Sequence, residues 1–202
     1  HTRCLSDWSS DVCSSDLPVY VSSLIRETTA EEEVEWVGQR IEQTKAKAVK
    51  LKIGGRLSRN ADASPGRTER LLALARKAWG SSMKIYIDAN GSYDAQYAID
   101  IAKLLKEHNV AFFEEPCPFE DLDTTKAVAD ALDMPVAGGE QDASLPRFEY
   151  MARNRVVDIL QPDMLYNGGF IRNHRTNVIA EHYGLPLTPR SPYLGPRQAL
   201  TT

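Results

Sequence analysis

The sequence predicts an α/β fold of the TIM type, a (β/α) barrel, and three observations point there. Short apolar stretches ending in charge alternate with amphipathic stretches of helical period from Val19 to Thr188, the pattern of right-handed βαβ units around a parallel sheet. The second to sixth of these strands all end in ionisable residues, and in a barrel every strand end faces one mouth, whereas an open doubly wound sheet gathers its chemistry at one switch point. At 202 residues with 42% apolar and 26% charged side chains, the chain is long enough for one domain with a substantial core. About seven of the eight strands of such a barrel are countable, so the barrel is expected to be incomplete.

In chain order, residues 1–17 stand apart. They have no strand or helix period and nearly repeat themselves as Cys4-Leu-Ser-Asp7 and Cys13-Ser-Ser-Asp16; they are expected to be a non-native or disordered tract, and 18–202 the barrel domain. Val19–Ser23 is the first strand, with Pro18 where a strand can begin. Thr28 or Thr29 opens a helix with glutamates three residues on in a capping box, and Val34, Val37 and Ile41 form its inward stripe. Ala48–Gly54 is the second strand, alternating so that Val49, Leu51 and Ile53 share one face and Lys50 and Lys52 the other. A polar loop over 56–66 leads to a helix ending at Trp79 and stopped by Gly80. Strand Lys84–Asp88, helix Ser92–His108, strand Val110–Phe113, helix Thr124–Leu132 and strand Pro135–Ala137 follow. Ser144 caps the next helix with Pro146 in its first turn. Val156–Leu160, helix Phe170–His182 closed by Gly184, and Leu185–Thr188 as seventh strand complete the reading.

A net charge of −4 with both signs mixed along the chain offers no basic stripe, which argues against nucleic acid and anionic membrane as partners. No apolar run approaches the roughly 20 residues of a membrane span. Three cysteines, two of them in the N-terminal tract, make no disulfide framework, and a cytoplasmic setting is expected.

Asp88, Glu114 and Glu140 fall at the C-terminal ends of three successive strands. Each alone reads as an ordinary polar strand end; together they suit a hard divalent cation with oxygen ligands, Mg²⁺ above all. Lys50 and Lys52 then face the barrel axis, where nearby carboxylates or metal would stabilise their charged forms, while burial and mutual repulsion are expected to depress their pKa values and make a lysine usable as a base. A half-exposed strand with solvated lysines is the alternative.

As an ordered set, Lys50-x-Lys52, Asp88-Ala-Asn-Gly91, Glu114-Glu-Pro116, Gly138-Gly-Glu140 and Gln161-Pro-Asp163 followed by Gly168-Gly169 resemble the barrel domain of the enolase superfamily, in its mandelate racemase branch, from about Pro18 to Pro196. This superfamily is the standing example of a Lys or His base working with Mg²⁺. The resemblance implies that Asp88, Glu114 and Glu140 are metal ligands, Lys52 the base that takes the proton next to a substrate carboxylate, and Lys50 its electrostatic partner that also faces substrate. Asn90 is implied as a substrate-contacting amide, although a turn-forming Asn before Gly91 fits equally. Asp163 points to the mandelate-racemase-like branch, which pairs an Asp on the sixth strand with a His after the seventh, rather than the muconate-cycloisomerase branch, which carries a lysine there; the resemblance thus makes Asp163 and the residue at the second position, Arg190, further catalytic candidates.

One residue departs from the pattern. Arg190 stands where Pro-His-Ser would place histidine, an Asp163–Arg190 ion pair is expected, and arginine does not relay protons at neutral pH. His174 and His182, on the sixth helix, are expected to be surface or packing residues. The parent enzyme implied is a sugar-acid dehydratase acting on a small carboxylate substrate, a homo-oligomer with a capping domain and an eighth strand that this sequence does not show. A racemase or epimerase, a non-catalytic barrel fragment and a Schiff-base lysine as in aldolases are the competing readings.

Overall fold

A computed structural model describes residues 20–190. The tract with Cys4 and Cys13, the strand start at Pro18 and Val19, and the end of the resemblance at Pro192 and Pro196 lie outside those residues. Strands β1 Tyr20–Ser22, β2 Ala48–Lys52, β3 Lys84–Asp88, β4 Val110–Glu114, β5 Val136–Gly138 and β6 Ile159–Leu160 alternate with helices α1 Ala30–Thr44, α2 Arg67–Trp79, α3 Ala95–Glu107, α4 Leu122–Ala131, α5 Leu145–Arg153 and α6 Phe170–Tyr183. Every neighbouring pair is parallel and the sheet order is β1-β2-β3-β4-β5-β6. An open doubly wound sheet needs a reversal of strand order. None occurs among the described residues, so the arrangement is that of an incomplete TIM barrel.

The seventh strand is shorter than expected. Leu187 and Arg190 form isolated parallel bridges to Leu160 and Asp163. Thr188 donates its N–H to the Leu160 carbonyl and Arg190 its N–H to the Pro162 carbonyl. Pro162 and Pro186 have no N–H to give across this pairing, which interrupts the ladder here.

Local chemistry explains most boundaries. Thr29 accepts from the Glu32 N–H at 3.2 Å while the Glu32 carboxylate accepts from the Thr29 N–H at 2.8 Å, the expected capping box. α3 begins later than expected because Asp94, not Ser92, supplies the cap, accepting from Tyr97 N–H at 2.9 Å; Ser92 turns back to the Ala89 carbonyl. α4 begins earlier, capped by Asp121. Ser144 occupies the cap position of α5 without a side-chain cap bond.

The two faces of the sheet separate as the alternation of β2 predicts. Val49, Leu51, Ile53, Ile85, Ile87 and Phe113 are fully buried in one cluster with Leu71, Leu72, Ala75 and Leu105 of the helices. On α1, Val37 is fully buried, whereas Val34 and Ile41 are only partly so and Glu33 is buried in their stead. The reason is an ion pair: Arg67 Nη2 of α2 donates to Glu33 Oε2 at 2.9 Å. Arg67 Nη1 also holds the Lys52 carbonyl at 3.2 Å, so this buried pair braces the end of β2.

Cys117 lies just past β4 and is 1% exposed. Burial, with Asp121 and Asp94 adding to it, pushes its thiol up to about 12. Because this folded value exceeds the roughly 8.5 of a free thiol, the stability linked to it is complete below about pH 8.5 and is lost as pH rises through about 12. At pH 8 the native thiolate is then roughly a thousand-fold scarcer than in the unfolded chain. Peptide-resolved iodoacetamide labelling at pH 8 should leave Cys117 unmodified until urea unfolds the protein; rapid native labelling would contradict the burial.

Candidate active site

Strand register brings the site together. Lys52 pairs with Asp88, and Asp88 with Glu114, in the parallel ladders, so three charged side chains stand level on three adjacent strands. Glu140 arrives from just beyond the end of β5. One carboxylate oxygen from each of Asp88, Glu114 and Glu140 lies within 4.8 Å of the others, and all three residues are buried. Three hard oxygen donors at this separation fit a small divalent cation that keeps part of its water shell, as Mg²⁺ does.

One layer below, on the same face, Tyr86 stacks on Phe112 at 4.3 Å and meets Tyr20 edge-on at 5.6 Å. Lys50 passes this aromatic layer, its Nζ 5.8 Å from the Tyr20 ring centre, and reaches Glu114 at 2.9 and 2.7 Å, with Asp88 at 3.6 Å. Lys52 Nζ donates to Asp88 and, at 2.9 Å, to the side-chain oxygen of Asn90. Both lysines point into the acidic cluster.

The electrostatics correct one expectation. Burial does push the Lys50 ammonium down, but Glu114 and Asp88 outweigh it and the net direction is up, so Lys50 is held charged and is not a neutral-pH base. Asp88 is likewise penalised by burial, yet Lys52 and Lys50 hold it well below the usual carboxylate range. Glu114 goes the other way, raised by burial and by Asp88.

Arg190 corrects a second. Its guanidinium does not pair with Asp163; Nη1 donates to Glu114 Oε1 at 2.6 Å and to Glu140, and stands 3.8 Å from Asp88. Asp163, fully buried, instead accepts from the Leu165 and Tyr166 N–H groups at 2.8 and 2.9 Å, and its other oxygen has no hydrogen-bond partner. The two residues meet only through backbone. His174 and His182 lie on α6, away from these contacts.

Asn90 has positive φ, 43°, and its amide is also engaged. The side-chain oxygen takes Lys52 and Arg26 Nη2, each at 2.9 Å, and Nδ2 donates to Glu115 Oε2 at 3.2 Å. The turn and the site contact therefore coexist. Arg26 and Glu115 escaped sequence reasoning. Arg26, which also binds the Ile53 and Gly54 carbonyls at 3.2 and 3.0 Å, leaves no signal in a short loop with no motif. Glu115 was in view as the second acid of Glu-Glu-Pro. Burial, then Asp88, Glu140 and Glu114, pushes it up to about 8. Beside it a shallow, open depression is lined by Arg56, Asn90, Gly91, Glu115 and Gln141 among others. Gly91 has φ 69°, and a Cβ there would come within 3.0 Å of the Pro118 Cα, so that turn requires glycine.

The profile of the family described as Enolase C-terminal domain-like matches residues 32–202. The chain belongs to that family. Within the enolase superfamily, an arabinonate dehydratase from Saccharolobus solfataricus is 34% identical over 71% of this chain and 36% of its own length. Other curated relatives, 29% to 33% identical, are further sugar-acid dehydratases and a lactone cycloisomerase. The chain thus spans about a third of the length of the curated relatives it matches. Among solved structures, a candidate racemase from Roseobacter denitrificans superposes with TM-score 0.83 at 42% identity, covering 85% of this chain and 47% of that one. A mandelate racemase/muconate lactonizing protein from Paracoccus denitrificans, complexed with magnesium, gives TM-score 0.79 at 26% identity over 86% of this chain and 47% of its own. Among the described residues, no helix is long and apolar enough to cross a membrane.

Proposed function

We propose that the chain carries the active site of a Mg²⁺-dependent sugar-acid dehydratase, with Lys52 as the base that removes the proton next to the substrate carboxylate. The observation that carries this is the level placement of Lys52 against Asp88, beside a buried triad of carboxylates with converging oxygens; the sugar-acid dehydratases among the relatives give the substrate class. Asp88, Glu114 and Glu140 would hold Mg²⁺. When bound, Mg²⁺ supplies positive charge to the substrate carboxylate as the neighbouring C–H bond breaks.

The rest falls to the chain. Lys52 presents its Nζ from a braced strand end, 4% exposed, with Asn90 steering it. Lys50, held charged, adds a fixed positive field one layer below, where negative charge develops. Asn90 and Arg26 close one side of the cluster, and the depression with Arg56 and Gln141 offers polar groups to a polyhydroxy chain.

Racemisation is the second reading, favoured by the 42% identical candidate racemase. It needs a second proton-transferring group on the opposite face, and Arg190, whose guanidinium burial disfavours but Glu114, Glu140 and Asp88 keep protonated, does not serve as one. Dehydration in this chain likewise takes no proton from position 190: the proton that Lys52 removes passes on to the departing hydroxyl, which leaves as water.

The test is a panel of sugar acids in D₂O with Mg²⁺, followed by ¹H NMR. Dehydratase action gives α-proton exchange and a 2-keto-3-deoxy product, both abolished by chelation. Epimer without keto product would favour the second reading, and exchange that persists in EDTA would reject the metal.

A further inference from the structure

One nitrogen of Arg190 touches the whole carboxylate triad. Nη1 donates to Glu114 at 2.6 Å and to Glu140, and lies 3.8 Å from Asp88, the three residues whose oxygens converge within 4.8 Å. The side chain is only 10% exposed. It is aimed there by its backbone: the Arg190 N–H donates to the Pro162 carbonyl at 3.0 Å, and its carbonyl accepts from the Met164 N–H at 2.8 Å. The residue is therefore pinned at both peptide groups beyond the end of β6, with the side chain free to cross the mouth.

Charge completes the picture. Asp88, Glu114 and Glu140 bring three negative charges, and Lys50, Lys52 and Arg190 bring three positive ones, all within this network of contacts. These six directly paired groups balance with no added ion. A divalent cation taking the same oxygens would face the guanidinium at close range, in surroundings that screen charge poorly.

We propose that Arg190 is a tethered cation that fills the triad and competes with the divalent metal for the same oxygens, so that metal binds only as the guanidinium withdraws. This rests on reading the triad as the metal site. The chain then has two charge-compensated arrangements, arginine-in and metal-in. Its apparent metal affinity is reduced by the fraction of molecules in the first.

Mn²⁺ titration of the 202-residue chain, followed by the electron paramagnetic resonance signal of the free ion, compares the unaltered protein with Arg190→Gln and Arg190→Lys. Arg190→Gln is expected to bind Mn²⁺ at least tenfold tighter. Arg190→Lys, which keeps the charge but loses the planar fork, is expected to fall between. Equal or weaker binding by Arg190→Gln overturns the competition while leaving the metal site standing. Absence of Mn²⁺ binding by all three proteins overturns the metal site and the competition together. Should Arg190→Gln not fold, the unaltered chain decides: Mg²⁺ addition must shift the Arg190 Nε–H resonance and speed its exchange with water. Saturable Mg²⁺ binding with that resonance unmoved overturns the proposal.

Discussion

Lys52→Ala should lower the rate of α-proton exchange by roughly a thousand-fold or more, because removing a positioned base costs about 10²–10⁴ and no other lysine takes its place. Lys50 cannot substitute, since it is fully buried, bonded to both Glu114 oxygens and held charged. The loss should appear in the exchange rate at saturating substrate and not in metal binding, because Asp88 keeps both its oxygens and loses a competing ammonium. Exchange measured by ¹H NMR in D₂O, alongside Mn²⁺ titration of the same variant, separates these effects. A variant exchanging at even a tenth of the original rate would remove Lys52 from its assigned role.

The second large effect concerns stability. Lys50 is 0% exposed and its closest anion is Glu114 at 2.7 Å, with Asp88 farther off at 3.6 Å. Glu114→Leu removes the nearer partner and strands a buried ammonium, a change that costs about 3–5 kcal/mol in comparable sites. For a chain of this size that corresponds to a fall in Tm of roughly 10 °C, measured calorimetrically in EDTA so that no ion compensates. The double variant Lys50→Met, Glu114→Leu should recover most of the loss, because an apolar pair of similar volume pays no desolvation cost. If the single variant melts within about 2 °C of the original, the pair is not what holds these strand ends.

Much of this was legible in the chain because strands have a period of two. Alternation alone placed Val49, Leu51 and Ile53 toward the helices and the two lysines away from them, and the same rule carried Asp88 and Glu114 to that inner face. The helices were equally plain, with errors of two or three residues where Asp94 and Asp121 rather than their neighbours supplied the caps. What stayed hidden depends on side-chain reach across the third dimension. Arg190 and Asp163 are backbone neighbours in adjacent segments, so pairing their side chains was natural on paper. The guanidinium is long enough to pass over to Glu114 and Glu140, where the negative charge is denser. Glu33 was hidden for a related reason: only its contact with Arg67, from a different helix, makes a buried acid preferable to Val34 on α1. The lysine pKa expectation failed at Lys50 because contact distance decides the balance: burial lowers the ammonium, but Glu114 at 2.7 Å and Asp88 at 3.6 Å outweigh it, and a sequence carries no such distances.

The strict sequential order of the sheet also dictates when the cluster is assembled. During synthesis each strand can dock on the one that left the ribosome just before it, without waiting for a distant segment. Both lysines emerge first, then the aspartate and the two glutamates, and the guanidinium emerges last. Vectorial translation thus leaves the three acids with one charge more than their two directly paired lysines until residue 190 arrives to balance it.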